Sequence, residues 1–165
     1  MIAVMFLSIN KPFARKFFSP VAIALAVVFT CFKSDRRMDT AEAITWSNHC
    51  LLYAFDPFAE NKLKKWELSV TEDMFVRFRK TYTNGKQEYY SFRIKRFSDL
   101  DYVGTVAVGT LVLKTDADNI IEQTYHDPKG DVDNMVQSLR IPVRNMEPER
   151  LDSLRTALLF LRNGK

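Results

Sequence analysis

The chain has two histidines, His49 and His126. His126 stands beside Asp127, and a carboxylate next to an imidazole can orient a general base. Neighbours in sequence rarely face one another in a strand or turn, however, and no nucleophile elbow lies nearby to use such a base. Asp127, Asp131 and Asp133 gather acidic oxygens in one stretch. Their spacing is not that of an EF-hand and no glutamate closes a cage, so a solvated turn is the simpler reading. No His or Cys pair has metal-ligand spacing. None of the five glycines forms a phosphate-cradling loop. These residues designate no catalytic group, no cofactor and no metal.

The two cysteines, Cys31 and Cys50, do not make a disulfide framework. Cys50 reads as a small buried hydrophobe. Cys31 closes residues 17–32, sixteen positions without a charge, preceded by Lys11, Arg15 and Lys16 and followed by Lys33, Asp35, Arg36 and Arg37. A basic flank, a short apolar run and a polar exit are the layout of a secretory or anchoring segment. The run is shorter than the roughly 20 residues of a spanning helix. Val28-Phe29-Thr30-Cys31 resembles a degenerate bacterial lipoprotein site, which implies that Cys31 is the lipidated first residue of the mature chain. An uncleaved anchor, ordinary secretion and a buried cytosolic helix are the other readings of the same run.

The net charge of +4 is largely a property of that segment; without residues 1–32 it falls to +1. The remainder is uneven: residues 61–97 carry +6 and residues 98–152 carry −6. This is a domain with one basic and one acidic region, not the uniform coat of a nucleic-acid protein, and no nucleic acid is expected as a partner. The basic region supplies the candidate site. Residues 74–82 and 87–97 alternate with period two around Asn84-Gly85. A two-residue turn would set Met74, Val76 and Phe78 opposite Lys95, Arg93 and Ser91. A three-residue loop, Thr83-Asn84-Gly85 with Gly85 left-handed, pairs Phe78 with Tyr90, Val76 with Phe92 and Met74 with Ile94, and so gathers the apolar residues on one face. The opposite face then carries Arg77, Arg79, Arg93 and Lys95 with Phe75 and Tyr89 among them, and Asp73 opposite Lys95. Such a face can bind phosphates, anionic head groups or single-stranded nucleic acid, or serve as solvated surface.

The elements that hold this face follow from pattern and punctuation. Asp39 or Thr40 caps a helix over residues 40–54, with Glu42 completing a capping box and Asp56-Pro57 ending it. Ile44, Asn48, Leu51, Leu52 and Phe55 are its expected inner stripe. Trp66, Leu68 and Val70 open a strand. Residues 104–115 read as a central strand covered on both faces, with Gly109 at a bulge or a close approach to a helix. Residues 120–125 are a strand, residues 126–131 a turn, and Leu139, Ile141 and Val143 a last strand that Pro142 confines to an edge. Asn145 is the expected N-cap of a C-terminal helix with Leu151, Leu154, Leu158 and Leu161 in one stripe against the sheet and Gly164 at its end.

The expected fold class is therefore α+β: an antiparallel meander sheet of about five or six strands, with an N-terminal helix and a C-terminal amphipathic helix packed on it. This layout resembles pleckstrin-homology-like barrels, a likeness of fold that implies no function. Residues 1–32 are expected to be a signal or anchor, 33–39 a tether and 40–165 one globular domain. The function expected is a non-catalytic, membrane-tethered or exported binding or assembly module (in the periplasm or cell envelope if bacterial), with the membrane, and an acidic protein or anionic lipid, as partners. The alternative is a small extracytoplasmic hydrolase with a site assembled from scattered residues. A deep cavity beside His126 or His49 would favour the enzyme.

Overall fold

The computed structural model describes residues 38–164; the apolar run, Cys31 and most of the tether lie outside the described residues. The first element is helix α1 (Thr40–Ala54), which begins at the expected capping box. The Asp39 carboxylate accepts from the Glu42 amide at 2.7 Å, and the Glu42 side chain accepts from the Asp39 amide at 3.3 Å. The buried face keeps Leu51 and Phe55 of the expected stripe, with Ile44 packed against the core, and differs in the rest. Within the helix it consists of Ala43, Ser47, Cys50, Leu51 and Ala54, while Leu52 is exposed. Small residues let this helix approach its neighbours closely, which a stripe of large side chains would prevent.

Eight strands follow: β1 (Leu63–Val70), β2 (Phe75–Tyr82), β3 (Gln87–Arg93), β4 (Phe97–Gly104), β5 (Val108–Thr115), β6 (Ile120–Tyr125), β7 (Asp133–Val136) and β8 (Ser138–Arg144). Helix α2 (Pro148–Asn163) closes the chain. The fold is α+β, with the strands in two antiparallel sheets, β1-β2-β3-β6-β7 and β4-β5-β8. The pairing shows how a meander becomes two sheets. The register Gln87↔Tyr125 to Ser91↔Ile121 carries on through Phe97↔Thr115. Thus β3 with β4 forms one bent strand, β5 with β6 a second, and β7 with β8 a third, interrupted only at Gln137. The bend is a 3-10 turn, Ile94–Arg96, in the first of these and residues 116–119 in the second. Backbone bonds cross the corner, from Asp116 N–H to Arg96 O at 3.2 Å and from Thr115 N–H to Gln137 O at 3.0 Å. Bending folds one long sheet over a single core that holds Phe78 and Phe92 from one sheet, Leu111 and Ile141 from the other, and Leu51, Leu154 and Leu158 from the helices.

The expected strand over residues 104–115 is shorter at its start, because Gly104 ends β4 and residues 105–107 form the β4–β5 turn; residues 111–113 are buried as a covered centre should be. Gly109 makes its close approach to the ring of Tyr102, which lies over the position a Cβ would take. Strand β8 is at an edge, as Pro142 requires, and Leu139, Ile141 and Val143 are buried. Asn145 is not the cap of α2. It sits at φ +51°, and Glu147 is the N-cap because Pro148 takes the first helical position.

Three of the sheet edges, at β8, β4 and β1, are met by the helices and their flanks. Asp56 N–H donates to Pro142 O at 3.0 Å beside β8. Arg155 and Arg162 of α2 donate to Leu100 O and Phe97 O beside β4. The Asn48 carboxamide on α1 accepts from Val70 N–H at 2.7 Å and donates to Val70 O at 2.9 Å, as a neighbouring strand would.

Candidate functional site

The β2–β3 hairpin positions the candidate residues, and its turn sets their faces. Tyr82 N–H donates to Lys86 O at 2.9 Å, which closes the three-residue loop, and Gly85 takes φ +89°. The pairs Phe78↔Tyr90 and Val76↔Phe92 follow. Phe78 is completely buried and Arg79 is exposed, so the apolar and cationic residues divide between faces as the alternation demands.

Arg77, Arg79 and Arg93 share the outer face of the five-stranded sheet, interleaved with Phe75 and Tyr89. Arg77 and Arg93 lie over the Phe75 ring at 5.4 and 5.3 Å, and Arg79 over Tyr89 at 5.5 Å. Lys95 is not on the strand. It belongs to the 3-10 turn at the corner, where it borders a hollow with Arg93, Met74 and the end of α2. Asp73 pairs with Arg77 at 2.8 Å rather than standing opposite Lys95. Bonds from Thr71 and the charge of Arg77 hold the Asp73 carboxyl below its ordinary value. Among the described residues Arg79, Arg93 and Lys95 enter no ion pair.

The sequence pattern misses the rest of this face. Strand β6 pairs with β3, placing Tyr125 beside Gln87 and Gln123 beside Tyr89. Arg79 therefore stands at the meeting of three shallow depressions of about 410, 180 and 250 Å³. The largest is also bordered by Gln87, Tyr89 and His126. His126 sits at φ +58° and is not oriented by Asp127, whose carboxylate binds Lys86 at 2.7 Å. That bond, with the Lys129 amide, holds the Asp127 acid below its ordinary value. The other two acids of the loop are engaged as well: Asp131 accepts from the Asp127 amide and Asp133 from Gln123. His49 lies on α1 between Trp46 and Tyr53, stacked at 6.1 and 6.4 Å. Cys50 is buried, and burial pushes its thiol up against the weaker opposing pull of Arg150.

The inner face of the same hairpin holds a second charged group. Lys80, 8% exposed, binds Glu60 at 2.9 Å and Glu88 at 2.6 Å, and Lys86 bridges Glu88 at 2.9 Å to Asp127. The Tyr82 hydroxyl lies 3.0 Å from Glu60 and 3.1 Å from Glu88. Burial opposes the charge on Lys80, but hydrogen bonds to Glu88 and Glu60 outweigh it and hold the ammonium above its usual value. Burial likewise opposes the charge on Glu88, and Lys80 and Lys86 keep it below its own. Bonds to Asp127 and Glu88 raise Lys86. Burial, then the neighbouring carboxylates, raise the Tyr82 phenol. This cluster ties the hairpin to the loop that carries His126.

No family model, curated protein or solved structure matches the chain. Among the described residues no helix is long and apolar enough to cross a membrane.

Proposed function

We propose that this protein is a non-catalytic binding or assembly module, membrane-tethered or exported through its N-terminal apolar run, that docks on an acidic protein or an anionic lipid surface. One observation carries the reading: Arg77, Arg79 and Arg93 share one open sheet face, each guanidinium over an aromatic ring. Rings beneath the cations fix them without neutralising them, Arg77 alone of the three being also paired, with Asp73, and rigid strands spare the entropy of ordering them on binding. The depressions beside them are open and shallow rather than the deep apolar cleft a hydrolase would use.

The test is charge reversal on the full-length chain. Arg77→Glu with Arg93→Glu should weaken, relative to wild type, association with vesicles of phosphatidylcholine and phosphatidylserine, or with an acidic protein recovered by pull-down. The wild-type interaction should weaken as salt shortens the Debye length to about 8 Å and below. Association unchanged by both reversal and salt would overturn the proposal.

Membrane attachment has its own check. Intact mass of protein from the membrane fraction should carry a diacylglycerol-sized increment that Cys31→Ser removes. Identical processing of the two, with the increment absent from both or present in both, would exclude Cys31 as the lipidated residue.

A further inference from the structure

The largest depression on the outer face is unusual in what its rim leaves unused. Arg79, Gln87, Tyr89 and His126 border it together, from β2, β3 and the turn after β6. Among the described residues none of these four side chains makes a hydrogen bond or an ion pair. The remaining polar groups at the rim are already committed. Glu88 is held by Lys80 and Lys86. Gln123 donates to Asp133 at 3.1 Å and accepts from the Tyr125 hydroxyl at 3.1 Å. Glu67, the cross-strand neighbour of Arg79, borders the two adjacent depressions instead of this one.

An arginine can only donate, whereas glutamine, tyrosine and histidine can donate or accept. A hollow with an obligate cationic donor, three adaptable groups and no spare carboxylate suits a ligand that is anionic and rich in acceptors. Geometry narrows the class further. A planar carboxylate is satisfied by the two-pronged guanidinium alone. A phosphate monoester brings three terminal oxygens and up to two negative charges, so oxygens remain for Gln87 and His126 after Arg79 is served. The volume of about 410 Å³ leaves room for the group that bears the phosphate, and the Tyr89 ring, already beneath Arg79, offers it a flat wall.

We propose that this hollow is a binding site for a phosphomonoester, with Arg79 as the charged anchor and Gln87, Tyr89 and His126 as its hydrogen-bonding rim. The proposal rests on the reading of the outer face as a docking surface and specifies one position in it. The phosphate could belong to a lipid head group or to a soluble ester; the hollow recognises what the two share.

The experiment uses the full-length chain in mild detergent, titrated with inorganic phosphate and, separately, acetate, while backbone amide shifts are followed by NMR. Phosphate should move the amides of Gln87, Tyr89 and His126 in a saturable way, and acetate should bind more weakly. Arg79→Gln should lower phosphate affinity roughly tenfold or more, the loss of one charge-assisted hydrogen bond. His126→Asn keeps a residue that accepts positive φ and should lower affinity less. Arg140→Gln, on the exposed side of β8, serves as control and should leave binding unchanged. Vesicles of phosphatidylcholine doped with phosphatidic acid separate the sources. Capture that Arg79→Gln weakens assigns the site to a head group; phosphate binding without capture assigns it to a soluble ester. Equal affinity for acetate, phosphate binding indifferent to Arg79→Gln, or binding of a single-stranded oligonucleotide without binding of phosphate would each overturn the proposal. If Arg77→Glu with Arg93→Glu still weakens association with vesicles while phosphate leaves the hollow untouched, the site falls and the docking face stands.

Discussion

Arg79 and Lys80 are neighbours in β2 and lie on opposite faces of one sheet. Lys80 is enclosed, bound by two carboxylates and close to the rings of Phe78, Tyr82 and Tyr90. Arg79 is exposed, rests on one ring and meets no carboxylate. The same type of charge, one residue apart, is consumed by the fold on one side and left available on the other. The difference lies in desolvation. A charge taken from water must be matched inside the protein, and once matched it cannot serve a ligand.

Deleting Lys80 tests the buried side most severely. Lys80→Ala leaves Glu60 enclosed without its cation and Glu88 with Lys86 alone, and should cost roughly 3 kcal/mol, read from urea unfolding. Acid should attack the same cluster. The folded value of Glu88 lies below the ordinary 4.5, so its contribution is complete above that value and is lost as pH falls through the folded one. Midpoints of unfolding measured against pH should hold through neutrality and drop below about 4.5, less so in Glu88→Gln, which has already lost the titrating group. Gly85→Val strikes the turn that separates the faces. A β-branched side chain at φ +89° should cost about 1 kcal/mol or more, measured by the same unfolding curves. The smallest effect belongs to the outer face: Arg79→Gln should shift stability by no more than about 0.5 kcal/mol. A large loss there would show that Arg79 serves the fold and would erase the contrast.

How far the sequence reveals these faces depends on how far apart the partners lie. Phe78 and Tyr90 are joined by a local turn, and the three-residue loop with Gly85 left-handed follows from putting apolar residues together. The capping box at Asp39 and Glu42 and the edge position of Pro142 are local for the same reason. The hollow beside Arg79 depends on β6 pairing with β3, which brings Gln123 and His126 from more than thirty residues away. No period or turn signal specifies that pairing, so Gln123, Tyr125 and His126 do not announce themselves as neighbours of Arg79. Strands β4 and β7 escape for another reason. Phe97-Ser98-Asp99 begins β4 with a bulge, and Asp133 to Val136 is mostly exposed, so neither shows clean alternation. Lys95 reads as a strand residue because its spacing continues that of Arg93, and only the 3-10 turn at the corner removes it.

The carboxamide of Asn48 carries a consequence beyond the fold. A free strand margin exposes a row of peptide groups on which another extended chain can grow, the route by which folded proteins seed fibres. Asn48 occupies both peptide groups of Val70, and α2 covers β4 with two arginines. The helices therefore act as stoppers as well as packing layers, and at these positions they deny a stray chain its first point of attachment.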